Sequence, residues 1–479
     1  MIDLRKVREN VAGYQQILEK RNMKLDLESV LALDDQRKAL QLQIDQTKAE
    51  QKQFAAQQNY QAAKELKGKI QELEAEHNTV TESLQAQLLK MPNTSLHSDV
   101  PTGKDDSENV VVKVVGEKPD FDFEPLDHMT LMKKYDMVDV ERGVKLGGAR
   151  SYFLKGDGML LEQAVLQYTL KRLVERGFTP MQVPNIVNPE CLIGTGYFPG
   201  GEEDAYWMER DNQWLIGTSE IPVTAYHMNE ILDEKDLPKK YAGFSTCYRR
   251  EAGTYGKDTA GLYRVHQFQK VEQVMILPAD EKMSDQYYNI LLENAMSVLE
   301  DFEIPYRKLQ LCTGDLAIGK YNSADLECWM PSRNSYGETH SVTAFLDFQA
   351  RRLNLRYRDS EGNIKYCYTL NNTAIATPRF LIALIENHQT KEAQIINLSF
   401  FDFRIAKTKV RVFLQKTCKQ KLSKTIWWLT YQKKHQFLTK YSLHHSQASS
   451  QLHVCLLVCN LTRSLLEQHK LFYSYLLDI

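Results

Sequence analysis

Residues 370–387 read LNNTAIATPRFLIALIEN. The first part closes a strand-like run. The second opens a helix with apolar residues all round and Arg379 near its start. A helix of that kind must be buried, so the guanidinium is expected to face a cleft rather than water. Two upstream segments carry related chemistry: CYRREAG at 247–253 offers Arg249 and Glu251, and YGETHS at 336–341 offers Glu338 beside Ser341. Two separated arginines with carboxylates and no Gly-rich loop point to a nucleotide whose phosphates are gripped by side chains. Guanidinium forks match phosphate oxygens and stay charged. The glutamates can hold the Mg2+ that accompanies ATP.

Around these segments the chain alternates helix and strand. EQAVLQYTLKRLVERG at 162–177 is an amphipathic helix ending at Gly177, and FTPMQVPNIV at 178–187 is a strand broken by Pro184. QWLIGT (213–218), YAGFSTCYRR (241–250), HQFQKVEQVMIL (266–277), YGETHSVTAFLDFQARRLNLRYRD (336–359) and KYCYTLNN (365–372) read as strands. Their aromatic and β-branched residues with polar alternation predict an antiparallel sheet. KMSD at 282–285 has no HIGH-type partner and reads as an ordinary helix start.

Residues 31–90 contain no Pro and one Gly, Gly68. Leu66, Ile70, Leu73, His77, Val80 and Leu84 fall at heptad spacing, and Leu33, Leu40, Ile44, Thr47 and Phe54 give a matching first helix. With a reversal in AAQQNYQ at 55–61, the segment predicts an antiparallel two-helix coiled coil ~30–40 Å long. Lys48, Lys52, Lys64, Lys67 and Lys69 gather near its tip against only Glu50 and Glu65. Composition alone makes this a solvated face; the functional alternative is an arm that contacts nucleic-acid phosphates. A Pro-containing linker follows at 91–126.

The chain has 479 residues and a formal charge of −2, room for two or three domains. The charge hides an asymmetry. Residues 394–479 hold 13 Lys and Arg against three acids, with no Gly and no Pro, which marks a boundary. None of the eight cysteines forms a CxxC, so no zinc is expected. Free thiols and no signal peptide fit a cytoplasmic protein, and the longest late apolar run, LHVCLLVCNL at 452–461, is too short to span a membrane.

From Met1 to about Thr390 the chain resembles the seryl-tRNA synthetases, a class II family. The opening MIDLRKVREN, the arm and VPTGKDD all carry the likeness. So do the three class II motifs in order, PMQVPNIVNPECLIGTGYFP, FSTCYRREAGTYGKDTAGLYRVHQFQKVE and LNNTAIATPRFLIALIEN. The resemblance implies an α+β chain. Residues 1–110 would form a tRNA-binding domain with the arm at 31–90, and 111–393 an antiparallel-sheet catalytic core flanked by helices. It implies roles residue by residue. Arg249 would hold the α-phosphate, Glu251 the adenine amino group and Arg379 the far phosphates, making Arg249, Arg379 and Glu338 the catalytic set. Arg250, Arg264, Phe268, Thr339 and His340 would complete the ATP site. Glu338 and Ser341 would coordinate Mg2+. Thr218, Ser219, Glu220, Glu272, Asn371 and Thr373 would line the serine pocket with Arg249. The five tip lysines would meet tRNA.

The chain departs from the family at three points. Arg250 stands where a small residue is common, Thr373 stands where some members have serine, and nothing after about residue 392 is family-like. The tail reads as translation out of frame, with a basic nucleic-acid-binding extension as the alternative. The expected function is a homodimeric, cytoplasmic serine–tRNA ligase using ATP, L-serine and tRNA(Ser), with tRNA(Sec) left open. The rivals are a catalytically silent homologue that binds RNA or protein, and an enzyme loading serine onto a carrier.

Overall fold

The computed structural model describes residues 2–252 and 261–394. The tail beyond 394 and the Tyr255–Thr259 stretch lie outside the described residues.

The arm consists of α1 (Leu27–Ala56) and α2 (Tyr60–Leu88). Each start is capped by a short polar side chain: Asp26 accepts from the Ser29 amide, and Asn59 accepts from the Ala62 amide. The reversal occupies Gln57–Asn59, where Gln58 takes a φ of 59°. Leu40, Ile44 and Thr47 are buried along the seam with Ile70, Val80 and Leu84. At 30 and 29 residues the helices run about 45 Å each. They exceed the expected length because Asp26 caps α1 ahead of residue 31. Gly68 has no neighbour within 4 Å of a would-be Cβ, so its cost is helix propensity alone, about 1 kcal/mol. All five tip lysines are exposed, with Lys48 paired to Glu74 at 2.8 Å.

The arm's root is seated on the body. Leu18, Val30, Leu84, Leu88 and Met91 pack with Phe345 and Phe348 in one buried cluster. The buried Arg21 guanidinium donates to the carbonyls of Leu316, Ala317 and Lys320 at 3.3, 3.2 and 2.5 Å. Arg352 donates to the Leu89 carbonyl at 2.9 Å.

The body is built on an eight-stranded sheet: β1 (Val110–Val115), β2 (Thr179–Gln182), β3 (Lys239–Tyr248), β4 (Gln267–Leu277), β5 (Tyr306–Gln310), β6 (Asn322–Met330), β7 (Ser335–Leu346) and β8 (Tyr368–Ala376). The order is β1-β5-β6-β7-β8-β4-β3-β2, antiparallel throughout except for the β2–β3 edge. β1 falls in the stretch read as linker. Its VVVKVV lies at an uncovered edge and is exposed along nearly its whole length, so it shows neither the alternation nor the turn residues that announce a strand.

The helices that frame the site are α3 (Asp157–Glu175), α4 (Glu220–Thr224), α5 (Glu281–Asp301), α6 (Phe348–Leu353) and α7 (Arg379–Asn387). α5 starts at the Asp280 cap, within the segment containing KMSD. On β4, Gln273 bonds to the Leu291 carbonyl and Asn294 of α5. The odd-numbered face of β4 therefore lies against α5, and the even-numbered row Phe268, Lys270, Glu272 points to the other side.

One strand reading is corrected. Residues 336–359 are not a single strand. β7 stops at Leu346, whose φ is +50°, and α6 follows. Arg351 ties back to Asp347 at 2.9 Å, one helical turn away. Phe348, Gln349, Ala350 and Leu353 are all buried, so neither a period of 2 nor one of 3.6 stands out in six residues.

Phe348 joins arm root to body. Phe348→Ala should lower unfolding free energy by about 3–5 kcal/mol, read by urea denaturation. A change below about 1 kcal/mol would mean the junction is held elsewhere.

Candidate active site

The cleft opens where β3, β4, β7 and β8 meet the start of α7. It is open to solvent, with a cavity volume of about 60 Å3, and its lining includes Arg249, Glu251, Tyr263, Phe268, Lys270, Glu338, Thr339, Thr373 and Arg379.

Strand parity explains why these side chains converge. Along β4, Phe268, Lys270 and Glu272 share one face. The partner strand β8 carries a bulge at Ala374, since Val271 pairs with Ile375 while Glu272 pairs with Thr373. The extra residue lets Thr373 and Ala376 present the same face. β7 repeats the device at Thr339: Leu326 pairs with His340, but Glu327 pairs with Glu338. Glu338 and Ser341, three residues apart, thereby face the cleft side together.

One arginine pairs with a carboxylate, and a second lines the same cleft. Arg379 Nη1 lies 3.2 Å from the half-exposed Glu338 carboxylate, while Arg379 Nε donates to the Tyr263 carbonyl at 3.0 Å. The Arg249 guanidinium lies 5.3 Å from the Phe268 ring centroid, and its Nε donates to the Gly217 carbonyl at 3.3 Å. Burial alone would raise the Glu338 carboxyl, but Arg379 and Arg249 hold it below the usual carboxylate range. Asp325, opposite Ser341 on β6, behaves the other way. Burial, then the Glu338 charge, push it up to about 7.

Behind the cleft lies a buried polar box. Lys270 Nζ sits 2.6 Å from Glu272 and 2.5 Å from the Thr218 hydroxyl. Thr373 donates to Glu272 at 3.2 Å. Glu220 accepts from Tyr197 at 2.9 Å and from Gln349 at 2.8 Å. Burial raises the Glu220 carboxyl, and the Glu272 charge adds to that. Ser219 donates to the Gly243 carbonyl at 3.1 Å. A Cβ on Gly243 would lie 2.8 Å from Val223 and 3.1 Å from Ser219, so this glycine lets α4 press against the sheet.

Residues 1–95 match the seryl-tRNA synthetase N-terminal domain, and residues 206–388 match the tRNA synthetase class II core domain (G, H, P, S and T). A serine–tRNA ligase of Deinococcus radiodurans is 41% identical over 405 residues, covering 82% of this chain and 95% of the relative. The chain belongs to the seryl-tRNA synthetase family. Its activity is that of a serine–tRNA ligase, an aminoacyl-tRNA ligase. A Treponema denticola serine–tRNA ligase is 40% identical over 82% of this chain and 96% of its own length. The crystal structure of seryl-tRNA synthetase from Pyrococcus horikoshii complexed with ATP superposes with a TM-score of 0.75 at 33% identity, covering 82% of this chain and 95% of that one. The cytoplasmic serine–tRNA ligase from Naegleria fowleri in complex with AMP gives 0.73 at 29%, covering 82% and 94%.

Within this synthetase body, most residues expected at the site are gathered. Arg249, Glu251, Phe268, Glu338, Thr339, Thr373 and Arg379 line the cleft. Arg264 pairs with Glu251 at 3.2 Å. Thr218, Glu220 and Glu272 form the box behind it, and Asn371 shares the Thr373 face of β8. Three positions stand apart. Arg250 is exposed, its guanidinium 5.7 Å from the Tyr206 ring on another surface. His340 faces the opposite side of β7, beside Phe380, and burial holds it down at about 4. The Ser219 hydroxyl is spent on the sheet backbone.

Sequence reading missed Lys270, Tyr263, Gln349, Tyr197 and Asp325. The spacing of Lys270 and Glu272, two apart in a strand, was a usable signal for the first. The others arrive from distant elements.

Removing one member of the buried pair should be costly. Glu272→Ala leaves the Lys270 ammonium without its carboxylate and should destabilise by about 3–5 kcal/mol, measured by urea unfolding. Parent-like stability would show that Lys270 has another way to satisfy its charge.

Proposed function

We propose that this cleft joins L-serine to ATP as seryl-adenylate, releasing pyrophosphate, and then passes serine to the 3′ end of tRNA(Ser), releasing AMP. The observation that carries the assignment of residues is the gathering of Arg249, Arg379 and Glu338 in one cleft, with the polar box of Lys270, Glu272, Thr218 and Thr373 directly behind. The serine carboxylate attacks the α-phosphorus, and the bond to pyrophosphate breaks. Such a step needs alignment and charge neutralisation more than a protein nucleophile.

Arg249, oriented by Phe268 and the Gly217 carbonyl, takes the α-phosphate. Arg379 takes the far phosphates, Phe268 offers a face for the adenine, and Glu251 accepts from its amino group. Arg264, paired with Glu251, is the further cation assigned to the phosphates. Glu272 receives the serine ammonium or hydroxyl, with Thr218, Glu220, Asn371 and Thr373 around it. Alanine would leave those polar groups unpaired, a penalty that can reach ~10^4 in discrimination. Threonine must instead be excluded by lack of room. Arg250, Ser219 and His340 receive no role here, because their geometry gives them other partners.

Glu338 and Ser341 are hard oxygen donors on one strand face, and Asp325 Oδ1 beside them has no hydrogen-bond partner. That donor set fits Mg2+. The ion, when bound with ATP, would neutralise phosphate charge. Among the described residues no group of three His, Cys, Asp or Glu side chains could hold a metal alone, so phosphate oxygens and water would complete its shell.

The exposed tip lysines suit a grip on the tRNA backbone that reads shape more than sequence. Met159 and Val174 on α3 and Ile186 just beyond β2 are exposed apolar residues, which supports burial against a second copy in a homodimer. Among the described residues no helix is long and apolar enough to cross a membrane, and a cytoplasmic setting suits these substrates. A catalytically silent homologue would have no need to keep Arg249, Glu251, Glu338 and Arg379 in one cleft.

Serine-dependent ATP–pyrophosphate exchange tests the assignment. Arg379→Ala should lower exchange by ~30–1000-fold, the loss of a charge-assisted phosphate contact worth about 2–4 kcal/mol. Near-parental exchange would sink the role given to Arg379.

Replacing residues 45–71, the outer part of the arm, with a short turn keeps the root residues Leu84, Leu88 and Leu89 on the body and should spare exchange while sharply reducing transfer to tRNA. Changing the five tip lysines to Gln should do the same more mildly and flatten the salt dependence of tRNA binding. Unchanged tRNA affinity in both variants would make the arm a spacer.

A further inference from the structure

We propose that Glu386 and His128 form a brace that positions Arg379 by fixing the backbone at Leu262–Tyr263. The proposal rests on the role given above to Arg379.

Glu386 lies seven residues after Arg379 on α7 and is fully buried. Its carboxylate accepts four hydrogen bonds: from the His128 amide at 3.0 Å, His128 Nδ1 at 2.7 Å, the Ser332 amide at 3.0 Å and the Ser332 hydroxyl at 2.8 Å. A buried carboxylate so satisfied is fixed in place. It also fixes the imidazole. Because Nδ1 donates to Glu386, Nε2 is left as an acceptor, and it receives the Leu262 amide at 3.2 Å. The adjacent Tyr263 then holds Arg379 twice. Its carbonyl accepts from Nε at 3.0 Å, and its ring centroid lies 4.4 Å from the guanidinium carbon. Arg333, next to Ser332, approaches the same ring at 4.2 Å.

The contacts close a ring. It runs from one end of α7 through 262–263 and His128 to the other end of the same helix. A separate feature shows how tightly this segment sits on the imidazole. Gly261 has a φ of +84°, and a Cβ there would lie 2.8 Å from His128 Nε2. Only glycine serves at that position, on conformation and on space alike. Neither His128 nor Glu386 lines the cleft, so both are positioning residues. Their effect reaches the phosphates through the direction of one guanidinium, and small misplacements of such a group are expensive.

The test is exchange kinetics with three variants. His128→Asn keeps a donor for Glu386 and removes the acceptor for Leu262. It should raise KM for ATP about tenfold and leave KM for serine within about twofold. His128→Gln, whose carbonyl reaches further along the ring's former outline, should recover part of the loss. In an Arg379→Lys background, where the Nε contact to Tyr263 is gone, His128→Asn should have little further effect, a non-additivity that marks coupled residues. If His128→Asn does not accumulate as folded protein, Glu386→Gln is read for the same split.

An unchanged KM for ATP would overturn the brace. So would ATP and serine constants moving together with the melting temperature, or full additivity with Arg379→Lys. These outcomes differ from failure of the site assignment itself, which would appear as retained exchange in Arg379→Ala.

Discussion

A β-strand shows alternate residues to opposite sides, and the cleft depends on breaking that rule twice. Glu338 and Ser341 are separated by three positions, as are Thr373 and Ala376. In regular strands each pair would be split across the sheet. One extra residue in β7 at Thr339 and one in β8 at Ala374 restore a common face. Both bulges border the same cleft, and β4 between β8 and β3 supplies the regular row Phe268, Lys270, Glu272 against which they are aligned. The polar side chains are therefore placed by backbone registry within a hydrogen-bonded sheet, which is stiffer than any loop. A reaction that works by alignment benefits directly from that stiffness.

The site's electrostatics divide along the same line. On the solvent side, Arg249, Arg379 and the Glu251 partner Arg264 outnumber Glu338 and Glu251, a surplus of positive charge suited to a polyphosphate. On the inner side, Glu220 and Glu272 outnumber Lys270, a surplus of negative charge suited to an ammonium. Arg249 stands at the border, between the Phe268 face and the Gly217 carbonyl that leads into the box. Opposite surpluses a few ångströms apart would attract each other's counter-charges in water. Burial of the inner set and the Lys270–Glu272 pair keep the two apart.

Much of this was legible because local pattern and chemistry coincided. The heptad positions of the arm and the burial of α7, apolar from Phe380 to Ile385, each follow from their own residues. Arg379 was expected to face a cleft because the helix it opens is apolar all round and must be buried. The failures have physical causes too. α6 is six residues long and buried on all sides, so its period is hidden within a longer apolar segment. β1 is exposed along an uncovered edge and carries no alternation. Bulges leave no mark in composition, so the pairing of Glu338 with Ser341 came from family resemblance rather than spacing. Arg250 and His340 were carried along with neighbours that do line the cleft. Strand parity and a turn sent their side chains elsewhere.

The link between arm and cleft is itself built from backbone carbonyls. Arg21 uses the carbonyls of Leu316, Ala317 and Lys320, Arg352 uses Leu89, and Asn93 donates to Gly319 and Phe345 at 3.0 and 2.8 Å. These anchors are insensitive to side-chain identity in the receiving segments, and burial makes each one costly to leave unmade. The receiving segments lead into the sheet: Lys320 precedes β6, which carries Asp325, and Phe345 ends β7, which carries Glu338. A force on the coiled coil is thus delivered at the far ends of the two strands that hold the candidate metal-facing carboxylates. The root is rigid and the tip, about 45 Å away, is polar and exposed. Such a lever can track a long RNA surface while leaving the registry of the cleft undisturbed.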